Sequence, residues 1–460
     1  MSYTVFRIML KSTGDFQKIP VSDCSESMVI YKVFKDHTNL VILVVSAIIM
    51  LALLIIYTAN GNGADNDVVN FYKHAEAIKA GQIPYKDFVF EFPPFSLVFF
   101  MIPSMFTSEM HTYVVLYGVE IVFFSVLTLY FMIKIAEKMK VNKYLVSTIF
   151  MIFIVLYFDQ MIRKFDIIVA AFTFISLYLF CDKKYTFSYV VMAFAALIKI
   201  YPIFLIPIFI IMNLADKEDT MRVKNVQKGI VACLCVAFVA AVPLLLLSVS
   251  VSDILSFVGF HSVRGFQVES IVAVIVQNLA SLGFTTATIV PSCDTSDIIS
   301  PICSFLLPYW SAVSALAIIL IWMLILYHVN KVSHNSSYRD FARDVMIYSL
   351  AVLMTFMLVN KVFSTQYVIW LYALIPFLVV INEKKINIPI AVLAILIVAL
   401  SYQIGTLGPY YELFPVLNLI RDVMMFLILS QIILYLLNER NILDLSCSEV
   451  VQNCELQEIK

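Results

Sequence analysis

From Asn39 to Ala59 the chain runs without a single charged side chain. At about 1.5 Å of rise per residue, a helix over that stretch reaches across a hydrocarbon layer roughly 30 Å thick. Lipid offers no water to satisfy backbone N–H and C=O groups, so a spanning segment must be a helix or a strand of a closed barrel. Strand-period alternation is missing over long stretches of the sequence, which sets the barrel aside. Apolar runs recur to the far end of the 460 residues, of which 62% are hydrophobic and 14% charged. Soluble domains carry charge on about a quarter of their residues. The expected fold class is an all-α polytopic membrane protein, a single helix bundle rather than a string of domains. A net charge of −1 leaves no electrostatic footprint for nucleic acid.

Lysine and arginine collect in cytoplasmic loops and so set the topology. Lys32 and Lys35 precede the first span and place the N-terminal segment 1–38 in the cytoplasm; the polar character of that segment also speaks against a cleavable signal. The apolar run Phe95–Phe106 makes only about 18 Å of helix, so it is expected to lie in the interface or re-enter. Spans are then expected at 39–59, 111–133, 144–158, 166–180, 187–198, 200–213, 229–251, 305–327, 344–359, 367–381, 387–404 and 416–437, about 12 transmembrane helices in all. With that count Lys134, Lys138, Lys183, Lys184, Arg222, Lys331, Arg343 and Lys384 all fall inside. The membrane-embedded domain is 39–438, its first external loop 60–110, its second 252–304, and the tail 439–460 is cytoplasmic. The expected location is the cell membrane, both termini inside. Cys24, Cys181, Cys447 and Cys454 then face a reducing compartment. Cys233 and Cys235 pack within a span, and a bond between Cys293 and Cys303 stays open.

In so apolar a chain the segment from Asn60 to Pro94, with Asp65, Asp67, Glu76, Asp87 and Glu91, needs an explanation in use. It begins as a helix: Asp65, Asn66 or Asp67 can cap it, Val68, Phe71, Ala75 and Ile78 form one stripe, and Gly81 with Pro84 ends it. That pattern reads as an amphipathic helix on the outer leaflet. Asp67, at its start, can be a general base toward a hydroxyl or only a cap. Asp65 and Asp67 together can supply oxygen ligands, so a divalent cation is possible; metal and cofactor stay undecided. Glu91 faces substrate or bonds backbone donors nearby.

A charge at membrane depth costs roughly 2.5–3.5 kcal/mol on insertion scales and defaults to function or pairing. Lys199 and Lys361 sit between apolar runs on both sides. The polar residues cluster at three hairpin tips: Asp159, Arg163, Lys164 and Asp166; Lys199 and Tyr201; Asn360, Lys361, Ser364 and Gln366. Short hairpins leave a recess on the external face, where these cations can hold a phosphate. Snorkelling or pairing with a nearby Asp explains each one equally well.

Four stretches together resemble glycosyltransferase family 87, within the C-type superfamily of integral-membrane glycosyltransferases. They are Asp67 with Phe71, Gly81, Pro84, Tyr85, Asp87 and Glu91-Phe92-Pro93-Pro94; Arg163-Lys164-Phe165-Asp166; Lys199-Ile200-Tyr201-Pro202; and Asn360-Lys361-Val362-Phe363-Ser364-Thr365-Gln366-Tyr367. Phe92 stands where the family usually has Tyr, and Lys164 is an additional cation. The likeness covers roughly 39–381.

The resemblance implies a hexosyltransferase that moves a hexose, mannose above all, from a polyprenyl- or dolichyl-phosphate carrier to a glycan or glycolipid acceptor at the external face, with inversion. Asp67 would be the base and Arg163, Lys164, Lys199, Arg264 and Lys361 the lipid-phosphate partners. Asp65, Tyr72, Tyr85, Glu91, Asp166, Tyr201, Gln366 and Tyr367 would line the substrate site; Phe71 would join Tyr72 and Tyr85 under a sugar ring, and the segment with His261, Arg264 and Gln267 would close over it. The alternatives are a secondary transporter, disfavoured by the lack of a clear repeat, a polymerase or ligase of lipid-linked polysaccharide, and a non-catalytic assembly subunit.

Overall fold

The computed structural model describes residues 37–60, 66–216, 219–262, 264–292, 295–331, 337–380 and 386–438. Their helices are, in chain order, α1 (Thr38–Ala59), α2 (Asn66–Lys79), α3 (Ser96–Ser104), α4 (Met110–Met139), α5 (Lys143–Met161), α6 (Asp166–Cys181), α7 (Tyr185–Ala196), α8 (Ile206–Ala215), α9 (Arg222–Leu246), α10 (Val251–Ile254), α11 (Ser256–Ser262), α12 (Ile271–Ser281), α13 (Pro301–Lys331), α14 (Tyr338–Val359), α15 (Ile375–Val379), α16 (Ile388–Leu407) and α17 (Phe414–Asn438). Eight of these are long and apolar enough to cross a membrane: α1, α4, α5, α9, α13, α14, α16 and α17. The protein is an all-α polytopic membrane protein. Two compact units divide at Ser46; the described part of the first is the opening of α1, and the second holds the remaining elements.

Local chemistry sets the ends of these helices. Glu109 caps α4 by accepting from the backbone N–H groups of His111 and Thr112 at 2.9 and 2.6 Å, and Asn142 caps α5 through Leu145 at 3.1 Å. Gly81 stops α2 at φ +85, a conformation glycine adopts without a Cβ penalty. Where α9 crosses α7, a Cβ on Gly229 would come within 2.4 Å of the Tyr189 ring, so glycine is what lets the two helices approach.

Two expectations need correction, and the second external loop adds a feature of its own. The stripe of α2 does not lie on lipid: Val68, Phe71 and Ala75 are buried, with Phe71 stacked on Phe100 at 4.2 Å and packed edge-on against Phe165. The expected span 367–381 is not one helix. It is a 3-10 segment, Thr365–Leu371, followed by the short α15. A second 3-10 segment, Tyr201–Leu205, leads into α8 with Pro202 at its start. Finally, the second loop contains a sheet of order β1–β3–β2, made by Phe266–Gln267 (β1), Thr288–Ser292 (β2) and Thr295–Ile299 (β3). Gln267 pairs with Asp297, and its N–H donates to the Lys361 carbonyl at 2.9 Å. That bond ties the sheet to the turn after α14. Cys303 carries a free thiol. Cys24, Cys293, Cys447, Cys454, Lys384, the segment 1–36, the tail 439–460 and the His261 side chain lie outside the described residues.

Candidate functional site

The turn between α5 and α6 carries Arg163, Lys164, Phe165 and Asp166, and each charge finds a different partner. Arg163 pairs with Asp159 one turn back at 3.0 Å and lies over the Tyr57 ring. Lys164 reaches across to Asp67 in the first turn of α2 and makes an ion pair with it. Asp166, in the first turn of α6 and fully buried, does not cap its own helix. Its Oδ1 instead accepts from Lys199 Nζ at 2.7 Å and from Trp370 Nε1 at 2.6 Å. Asp166 Oδ2 is buried with no hydrogen-bond partner among the described residues, which is expensive in an apolar setting.

Around this pair the aromatic rings form a box. The Trp370 indole stacks with Tyr201 at 3.9 Å and with Tyr367 at 4.1 Å. Lys199 Nζ lies 4.9 Å from the centre of Phe165 and 5.5 Å from that of Tyr367. A cation facing ring quadrupoles, with one carboxylate beside it, is held strongly where water is scarce.

A second cluster meets at the sheet. Lys361 Nζ donates to the Arg264 carbonyl at 2.8 Å, and the Arg264 guanidinium donates to Thr295 Oγ1. Asp297 accepts from Gly265 N–H at 3.0 Å. Burial pushes the Lys361 ammonium below its ordinary range, and the neighbouring Asp297 opposes that shift. Gln267 Oε1, Gln366 Oε1 and Arg264 Nε are buried without hydrogen-bond partners among the described residues.

A third cluster lies outside the residues singled out from the sequence. Arg421 in α17 is fully buried, pairs with Asp422 at 2.8 Å, approaches Glu269 at 3.9 Å and lies 4.1 Å over the Phe363 ring. Burial raises the Glu269 carboxyl to about 7, against the pull of Arg421 and, further off, Lys164. Two adjacent charges inside an apolar run were the available signal.

The residues expected as base and as phosphate partners make contacts with one another and with the backbone. Asp67 pairs with Lys164, Lys199 with Asp166, and Lys361 engages the Arg264 carbonyl. Of the aromatics expected under a sugar ring, Phe71 is 1% exposed, the Tyr85 hydroxyl donates to the Phe92 carbonyl at 2.6 Å, and that of Tyr72 to the Ser108 carbonyl at 2.7 Å. Glu91 is half-buried. Asp65, and with it the Asp65–Asp67 ligand pair, lies outside the described residues, among which no group of three or more metal-ligating side chains occurs.

Residues 66–275 match the family model of the GPI transamidase subunit PIG-U. The match begins at the first residue of α2 and covers less than half of the 460 residues. No curated protein matches the chain. The matched segment carries Asp67, Arg163, Lys164, Asp166, Lys199, Tyr201 and Arg264, most of the residues behind the glycosyltransferase resemblance. Matching a transamidase subunit there overturns the expectation of a hexosyltransferase drawing on a lipid-phosphate sugar donor.

Proposed function

We propose that this chain is a non-catalytic membrane subunit of a GPI transamidase, and that the box of Asp166, Lys199, Tyr201, Tyr367 and Trp370 receives part of the lipid-anchor substrate. The observation that carries this reading is a coincidence of place: the segment resembling the transamidase subunit supplies Asp166, Lys199 and Tyr201, the half of the box that holds the ion pair. A GPI head group joins sugar rings to phosphate. Aromatic faces suit the rings, and Lys199, with Lys164, Arg163, Arg264 and Lys361 on neighbouring turns, supplies cations for phosphate. Gln366 Oε1 and Asp166 Oδ2, both without a partner, would accept from sugar hydroxyls.

Transamidation itself needs a nucleophile activated by a base. His74 packs against the Phe88 and Phe90 rings. In this reading acyl transfer belongs to a partner chain in the complex. This reading takes the box as extracytoplasmic, because it sits at the end of α6 opposite Lys183 and Lys184 and such lysines favour the cytoplasmic side.

The test is depletion and rescue. Membranes lacking this chain are assayed for attachment of GPI to a reporter protein, then supplied with the wild-type chain or with Lys199→Met. Wild type should restore attachment and Lys199→Met should not. Full attachment in membranes lacking the chain would refute the proposal.

A further inference from the structure

The helix α12 lies across the place where three spanning helices end together. Its Val272, Ala273 and Val276 share one buried cluster with Cys303 near the start of α13, Ile404 near the end of α16 and Phe414 at the start of α17. Asn278 Nδ2 donates to the Pro415 carbonyl at 3.0 Å, which fixes α12 beside the first turn of α17. With 11 residues it makes only about 16 Å of helix, too short to cross. The ends of spanning helices mark the edge of the hydrocarbon layer, so α12 sits at the membrane surface.

What faces away from the cluster is apolar. α12 stops at Gly283, whose φ of +81 lets the Phe284 N–H return to the Leu279 carbonyl at 2.9 Å, a glycine-terminated helix end. That turn leaves Leu282 and Phe284 70% and 77% exposed. β2 then runs away from it, its far end being the Ser292–Thr295 pair. In the turn between α16 and α17, Tyr410 is 74% exposed, and Tyr411 and Leu413 are exposed as well. From Leu413 the exposed side chains continue down α17 through Val416, Ile420 and Val423, the spacing of one face of a spanning helix.

We propose that Leu282 and Phe284, together with Tyr410 and Tyr411, enter the lipid surface and anchor the second loop to the bilayer. Exposed apolar surface of this kind marks contact with membrane or with protein, and three observations favour lipid. The surface runs on into the exposed face of α17. Tyrosine is a residue type that collects at the level of the head groups. A docking face for protein has a polar rim, whereas the stretch 270–293 contains no charged residue at all. The anchored loop carries Arg264, Gln267 and Glu269, and its attachment keeps them at the lipid boundary. The proposal does not draw on the transamidase reading, since it concerns only how this loop meets the bilayer.

Carbene labelling tests it. Native membranes, and the purified full-length chain in phosphatidylcholine nanodiscs, are each treated with two reagents: a phosphatidylcholine bearing a diazirine on its acyl chain, and a water-soluble diazirine. Peptide mass spectrometry reads the sites. Residues 282–284 and 410–411 should take the lipid label as the Val416–Val423 face does, and should be protected from the aqueous one. In Leu282→Asp with Phe284→Asp the lipid label at 282–284 should fall to background and the aqueous label should appear. The melting temperature should stay near wild type, because both side chains are exposed. Aqueous label on the wild-type turn would overturn the proposal, and so would undiminished lipid label in the double variant. Lipid label on the purified chain with neither label in native membranes would overturn it too, by assigning the surface to a protein partner. The wild-type pattern decides the matter even where the double variant fails to fold.

Discussion

Lys199 Nζ and Asp166 Oδ1 lie 2.7 Å apart across 33 residues of chain, with Asp166 fully buried and Lys199 17% exposed. This contact pins the turn before Tyr201–Leu205 to the first turn of α6. Trp370, donating to the same oxygen at 2.6 Å, brings in a segment 204 residues from Asp166 in sequence. Three hairpin tips thus converge on one carboxylate.

Removing one partner of a buried pair strands the other. Lys199→Met should cost about 3–5 kcal/mol, read as a lowered melting temperature in detergent. The double variant Lys199→Met with Asp166→Asn should be more stable than Lys199→Met alone, because no uncompensated charge remains. Additive losses in the double variant would mean that the two side chains act independently.

Asp67→Asn breaks the ion pair with Lys164, whose partners are 38% and 22% exposed. Pairs of that exposure contribute about 0–1 kcal/mol. The variant should melt within a few degrees of wild type and sustain GPI attachment in membranes. A loss of attachment with folding intact would restore Asp67 to the chemistry.

Glu269 has a folded-state carboxyl raised to about 7 from an ordinary 4.5. Between those values the folded protein holds the proton more tightly than the unfolded chain. Its contribution is complete below pH 4.5 and declines as pH rises toward 7, by up to about 3 kcal/mol. Glu269→Gln should flatten that part of the stability–pH curve, followed by melting from pH 4.5 to 8. An unchanged slope would show that another group titrates.

Gly229→Ala places a methyl 2.4 Å from the buried Tyr189 ring. A ring in a packed interior yields less than a flexible chain end, so the change should cost about 1–3 kcal/mol. Alanine at Gly259, whose Cβ would meet nothing within 4 Å, serves as the control and should melt close to wild type.

Much of the fold was legible because lipid reduces the options: charge-free runs such as Asn39–Ala59 can only be helices. The end of α2 was legible too, since Gly81 and Pro84 are local signals. What covers the α2 stripe was not, because Val68, Phe71 and Ala75 look the same whether they meet lipid or Phe165. The two-residue strand Phe266–Gln267 is too short to show a period. At the site, Lys199 stood out as a charge at depth, but its partner depends on tertiary pairing that no spacing encodes. Arg421 and Asp422 carry a readable signal, two adjacent charges in an apolar run. Asp67 shows the limit most plainly, since carboxylates and cations look alike in sequence whether they catalyse, bind or pair with each other.

The most direct test of the central claim is photo-crosslinking with a GPI analogue bearing a diazirine on its glycan, applied to membranes containing the intact complex. Labelled peptides should include the turns around Asp166, Lys199 and Trp370, and labelling should fall in Lys199→Met. Label confined to other chains, with none on these turns while GPI attachment proceeds, would contradict the account.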